Sequence, residues 1–226
     1  MKIVTNEKLI NRNIRLGFAT TIVAILILVV LVWITQDTVA INYLLWTGLL
    51  FVAFILAQIG SALSRYGRRS DLTLNDALSK LNKDFTLYHH SAPAPHVLVG
   101  PTGLWMLVPK TTRGKITYNT NKNRWKRSGG GIGGLFEGLG RPDVELGTQA
   151  DSIDRYLSKY WDEDDNLFVN AAIVFTHDSA TVDAKGAPVP TIVMKDLRKT
   201  VAAPNQKTGL RPAQVKKLNA LFGGTD

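Results

Sequence analysis

"HVLVGPTGLWMLVPK", His96 to Lys110, is the stretch that decides the fold. Two β-rich runs, "VLV" and "LWMLV", flank "GPTG". Glycine and proline suit a tight turn, so the stretch reads as strand, turn, strand. It contains no Asp or Glu.

The surroundings extend the pattern. Upstream, a helix is expected from about Thr73, with Asp76 three residues on in a capping-box arrangement. Leu74, Ala77, Leu78 and Leu81 share one face of it at helical spacing. "FTLYHH" then reads as a strand, broken by "SAPAP". Downstream, "KITY" (Lys115 to Tyr118) and "RWKR" (Arg124 to Arg127) read as strands around the turn "NTNKN". A glycine-rich loop follows, Ser128 to Pro142. After Pro142 a long helix is expected, with Val144, Leu146, Ile153, Tyr156, Leu157 and Tyr160 at mostly helical spacing, ending at "WDEDDN". "LFVNAAIVFTH" (Leu167 to His177) and "TIVM" (Thr191 to Met194) read as strands. Short helices are expected over Asp196 to Val201 and Pro212 to Phe222. This order predicts an α/β (α+β) domain, a sheet flanked by helices.

The first third of the chain is different. Leu16 to Ile34 carries no charge over roughly nineteen residues, about enough to cross a ~30 Å hydrocarbon core. Ile41 to Leu63 is also uncharged. The short "TQDTVA" between them forces an antiparallel hairpin. Lys2, Lys8, Arg12 and Arg15 precede it, and Arg65, Arg68 and Arg69 follow it. The positive-inside rule then places both termini in the cytoplasm, with the hairpin in the inner (plasma) membrane. The expected organisation is a cytoplasmic N-terminus (1–15), a transmembrane hairpin (16–64), a basic juxtamembrane linker (65–72), an α/β domain (73–203) and a C-terminal linker with a helix (204–226).

The chain has no cysteine, which excludes disulfides, thiolate nucleophiles and cysteine metal sites. Its formal net charge of +9 favours anionic partners: nucleic acid, or the lipid headgroups of the bilayer. Lys110, Arg113, Lys115, Lys122, Arg124, Lys126, Arg127 and Arg141 form a basic run, with Trp105, Tyr118 and Trp125 interleaved. Such a surface holds phosphates by charge and bases by stacking. Alternation puts Arg124 and Lys126 on one face and Trp125 with Arg127 on the other, which marks Trp125 as a core residue.

Other motifs carry less. His89, His90 and His96 lie close in sequence, and His177 ends a later strand. Neighbours on a strand point to opposite faces, so His89 and His90 do not easily share a metal. They read as surface or hydrogen-bonded histidines. "GGGIGGLFEGLG" lacks the Gly-Lys-Ser/Thr ending of a phosphate loop, and "WDEDDN" lacks calcium-loop spacing. No metal site and no cofactor is expected. The serines lie in polar loops with no nucleophile elbow, so no catalytic triad is expected either.

"HVLVGPTGLWMLVPK" followed by "RGKI", with the later "AAIVFTHDSA", resembles the nuclease-related domain (NERD) family, a branch of the PD-(D/E)xK nuclease-like fold. The resemblance covers roughly Asp71 to Lys199 and implies a restriction-endonuclease-like mixed sheet flanked by helices. It also implies where the metal chemistry would sit. The family's Asp position holds Pro95 and its Glu position holds Val108; only Lys110 of the motif remains. Magnesium needs oxygen ligands to polarise phosphate and activate water, and these side chains offer none. The expectation is a membrane-anchored binding or scaffolding module without nuclease activity. The alternatives are a nuclease using displaced carboxylates (Asp71, Asp178 or Asp183) with Lys110, and an accessory subunit of a larger membrane protein complex.

Overall fold

The computed structural model describes residues 1–35, 43–64, 66, 69–129, 139–161, 167–204 and 207–223. Most of the expected glycine-rich loop, the acidic run and the connection between the two apolar segments lie outside the described residues. The chain divides into two units: Asn6–Arg69, and a second formed by Met1–Thr5 with Ser70–Asp226.

The first unit is a helical hairpin, α1 (Glu7–Ile34) and α2 (Tyr43–Ser64). Both helices are long and apolar enough to cross a membrane. Helix α1 begins well before the uncharged run, because Asn6 caps it: its side-chain oxygen accepts from the Leu9 N–H at 3.0 Å. The helices touch through glycines. A Cβ added at Gly60 would lie 2.3 Å from Thr21 Oγ1, and one at Gly17 2.9 Å from Leu63 Cβ. Small residues at a crossing let backbones approach closely, which suits packing in lipid. Large apolar side chains such as Phe18, Leu26, Val29, Leu44 and Phe54 remain exposed.

The second unit is mixed α/β. A six-stranded sheet runs in the order β1 (Lys2–Thr5), β2 (Thr86–His89), β3 (His96–Gly100), β4 (Gly103–Lys110), β7 (Val169–Phe175) and β9 (Thr191–Val193). Strands β2, β3 and β4 are antiparallel neighbours; β1 joins β2, and β7 joins both β4 and β9, in parallel. A three-stranded sheet has the order β6 (Arg124–Ser128), β5 (Gly114–Asn119), β8 (Ala180–Asp183).

The hairpin has the expected form, with Gly100 opposite Gly103 across Pro101 and Thr102. Each glycine is needed. A Cβ at Gly100 would press into the Phe85 ring at 2.2 Å, and Gly103 has φ +138°, a conformation that favours glycine.

Alternation along the strands separates two cores. On one face Val97, Val99, Leu104, Met106, Val108, Ile173 and Phe175 pack with Leu146, Ile153 and Leu157 of α4 (Pro142–Tyr160) and Leu218 and Phe222 of α6 (Pro212–Gly223). On the other, Leu87, Leu98, Trp105, Leu107, Ala172 and Val174 pack with Leu74 and Leu78 of α3 (Ser70–Leu78) and Leu197 and Val201 of α5 (Met194–Ala202). The small sheet adds Ile116 and Trp125 to the first core.

Three expectations are corrected and one strand is added. Residues 2–5 are a strand of the α/β domain rather than part of a separate N-terminus. Helix α3 starts at Ser70, so Thr73 lies within it and is not its cap. Val144 and Tyr160 of α4 are largely exposed and stand off its buried stripe. Ala180–Asp183, unassigned from sequence, forms β8 by pairing in parallel with β5.

Candidate functional site

Two of the positions implied by the nuclease resemblance, Val108 and Lys110, fall on the α4 face of the large sheet. Val108 is fully buried in the first core, among Met106, Ile173 and their neighbours. Pro95 is half-buried, and its carbonyl accepts from the His90 N–H at 2.9 Å. Lys110 follows Val108 on the same face and forms an ion pair with Glu145 in the first turn of α4.

Asp71 stands elsewhere. It belongs to the first turn of α3, is buried, and that helix packs on the opposite face of the sheet. The structure therefore does not bring Asp71 to Lys110. Asp178 lies in an exposed turn beyond the paired ends of β4 and β7. Asp183 is exposed at the end of β8, 3.8 Å from Lys115. Among the described residues no three His, Asp or Glu side chains form a metal-binding group.

The basic run divides by face. Register pairs Thr117 with Lys126 and Asn119 with Arg124, while Lys115 shares their side by alternation. Lys115, Arg124 and Lys126 thus project from the exposed side of the small sheet, with Lys122 in the β5–β6 turn. The reverse side is apolar: Ile116 and Trp125 are buried and Tyr118 packs against Trp125, ring centroids 4.8 Å apart. Trp125 is a core residue, as expected, and its indole N–H donates to Thr191 Oγ1 at 3.0 Å. Arg127 is half-buried on this inner side. Arg113 is exposed between β4 and β5. Arg141 precedes α4 and pairs with Asp143 at 2.9 Å, which holds that carboxyl below the usual range. Trp105 faces the second core, remote from any stacking role. The eight cations therefore do not form one surface, but three of them share the exposed face of one sheet.

His89 and His96 are hydrogen-bonded, as expected, but in the interior, whereas His177 bonds to Ser179 in an exposed turn. His89 and His96 are buried, directly opposite one another on β2 and β3. Their Nδ1 atoms are 2.8 Å apart. His89 Nε2 lies 2.9 Å from Asn75 Oδ1, and Ser70 Oγ lies 3.1 Å from His96 Nε2. The Asn75 oxygen accepts only, so His89 carries its proton on Nε2 and its Nδ1 is a lone pair. His96 must then donate from Nδ1, leaving His96 Nε2 to accept from the Ser70 hydroxyl. Each proton in the chain Ser70–His96–His89–Asn75 thereby has one donor and one acceptor.

His90 joins them against the strand rule. It has φ +56°, just past the end of β2, and this left-handed backbone turns its ring to His96, centroids 5.3 Å apart. Burial holds the His96 pKa well below the usual histidine value, His89 and His90 push it further down, and Asp71 opposes them. His90 is lowered by burial and raised in part by Asp71. The His90 and His96 rings are thus neutral at pH 7. Sequence reasoning found the histidines but missed Ser70 and Asn75, since nothing local reports that α3 lies over the ends of β2 and β3.

Comparison with protein-family models, with curated proteins and with solved structures finds no match to this chain.

Proposed function

We propose that the chain is a membrane-anchored binding module: the α1–α2 hairpin holds a NERD-like domain at the cytoplasmic face of the inner membrane, and that domain binds a polyanion without metal-dependent cleavage. The observation that carries the reading is the small sheet, which presents Lys115, Arg124 and Lys126 on a solvent face backed by buried Ile116 and Trp125. A basic face on a rigid sheet contacts phosphates at fixed spacing, and its affinity comes from released counterions.

Three further features support it. The antiparallel β2–β3–β4 unit followed by parallel β7, with α3 on one face and α4 on the other, suits the nuclease-like assignment. Val108 stands fully buried where the resemblance calls for a metal-binding Glu. Strand β1 precedes the hairpin and pairs with β2, which follows it, and this supports both ends of a spanning hairpin lying on one side of the membrane.

The test is binding by the full chain in detergent micelles. Duplex and single-stranded DNA are expected to bind with a steep salt dependence, and Arg124→Glu with Lys126→Glu to flatten that slope by about two. No DNA or RNA cleavage is expected with Mg²⁺ or Mn²⁺. Binding to anionic vesicles but not to nucleic acid would assign the face to lipid headgroups. Metal-dependent cleavage lost in Lys110→Ala would sink the reading.

A further inference from the structure

We propose that Ser70, His96 and His89 form a hydrolytic site for carboxylic esters, on the face of the sheet opposite Lys110. The proposal goes beyond the binding role and does not depend on it.

The geometry supplies a nucleophile, a base and an orienting group. Ser70 Oγ is 3.1 Å from His96 Nε2, within reach for proton transfer. His96 Nδ1 is 2.8 Å from His89 Nδ1, and Asn75 fixes the His89 tautomer from the far side. The His96 ring therefore has its lone pair aimed at the serine, the arrangement a general base requires. Ser70 is half-buried, whereas His96 is 4% exposed and held in place.

The chemistry balances without a further reagent. Ser70 Oγ bonds to the ester carbonyl carbon as its proton passes to His96 Nε2. The imidazolium returns that proton to the departing alkoxide as the C–O bond breaks, releasing an alcohol. Water then attacks the acyl carbon, giving a proton to His96 Nε2. That proton returns to Ser70 Oγ as the acid leaves. Among the described residues Asp71 is the one buried carboxylate acting on His96, and it stabilises the imidazolium against burial. The orienting group is a neutral imidazole rather than a carboxylate, which makes His96 a weak base. Esters, whose alkoxide leaves more readily than an amine, are the matching substrate class.

The experiment uses the full chain in detergent micelles, a fluorophosphonate probe and a short-chain p-nitrophenyl ester. One adduct per chain is expected, mapped to Ser70, together with slow ester turnover. Ser70→Ala should abolish both while leaving the circular dichroism unchanged. His96→Gln should slow labelling at least about a hundredfold, as loss of a general base does. Asp71→Asn should move the pH midpoint of labelling down, since the carboxylate holds the His96 pKa up against His89, His90 and burial. No adduct on a folded chain, an adduct elsewhere, or ester turnover unchanged in Ser70→Ala would each overturn the proposal. So would equimolar Zn²⁺ binding lost in His89→Ala with Ser70 unreactive, which would assign the rings to a cation.

Discussion

The Nδ1 atom of His89 lies 2.8 Å from the Nδ1 atom of His96, both rings buried between α3 and the ends of β2 and β3. One proton occupies that gap. A second would put two donors face to face with no acceptor between them, in a site shielded from water.

Acid should therefore loosen the domain. His96 and His90 are held below the usual value of 6.5, so from pH 6.5 down to their folded pKa values the unfolded chain binds more protons than the native one. Stability from these groups is complete above pH 6.5 and falls as pH drops below it. Each group contributes up to about 1.4 kcal/mol per pH unit within its window. Urea denaturation of the full chain between pH 7.5 and 5 measures this. His96→Gln should flatten the dependence, and an unchanged slope would show that His96 does not carry it.

Restoring the missing acid should not restore a nuclease. Val108→Glu places a carboxylate in a core formed by Met106, Ile173 and other apolar side chains. Burying an unpaired carboxylate costs several kcal/mol or forces it to stay protonated. The expected outcome is a Tm lowered by at least several degrees, with no Mg²⁺-dependent cleavage of plasmid DNA. A variant as stable as the parent would contradict the burial assigned to Val108.

Lys110 and Glu145 should act as a structural pair. Their side chains are partly shielded, 15% and 37% exposed. A double-mutant cycle with Lys110→Ala and Glu145→Ala is expected to give a coupling of roughly 1 kcal/mol. Thermal denaturation reads it, and zero coupling would mean that the pair contributes nothing to holding α4 on the sheet.

The apolar hairpin should depend on one glycine and not another. A Cβ at Gly60 would come within 2.3 Å of Thr21 Oγ1 and 3.1 Å of the Gly17 carbonyl oxygen, whereas one at Gly48 meets nothing within 4 Å. Gly60→Ala should cost about 1–3 kcal/mol in the hairpin, as overpacking does, and Gly48→Ala should not. Cysteine cross-linking between α1 and α2 in detergent separates the two.

Much of the α/β domain was legible because its signals are local. The turn glycines, the apolar runs of β3, β4 and β7 and the stripe of Leu146, Ile153 and Leu157 each report on their own element. Strands β1 and β8 were not legible. "KIVT" and "ATVD" are too short to carry a period, and they become strands only by pairing with β2 and β5, far away in sequence. Hydrogen-bonded histidines were expected, but the place of His90 among them was missed for a related reason. Strict alternation sends His89 and His90 apart, but His90 leaves the strand conformation at φ +56°, and Pro95 accepts its N–H. The start of α3 at Ser70 was hidden because Arg65, Arg68 and Arg69 read as a linker, and with that start Ser70 and Asn75 dropped out of view.

The position of β1 sets an order on the making of the protein. Residues 2–5 leave the ribosome before their partners, residues 86–89, with both apolar helices synthesised in between. The N-terminal segment must wait, unpaired, while the hairpin is made, and the sheet takes it up at its edge afterwards. Release of folded domain is thus tied to completed synthesis of the hairpin, and any other strand-forming segment nearby would compete for the β2 edge during that interval.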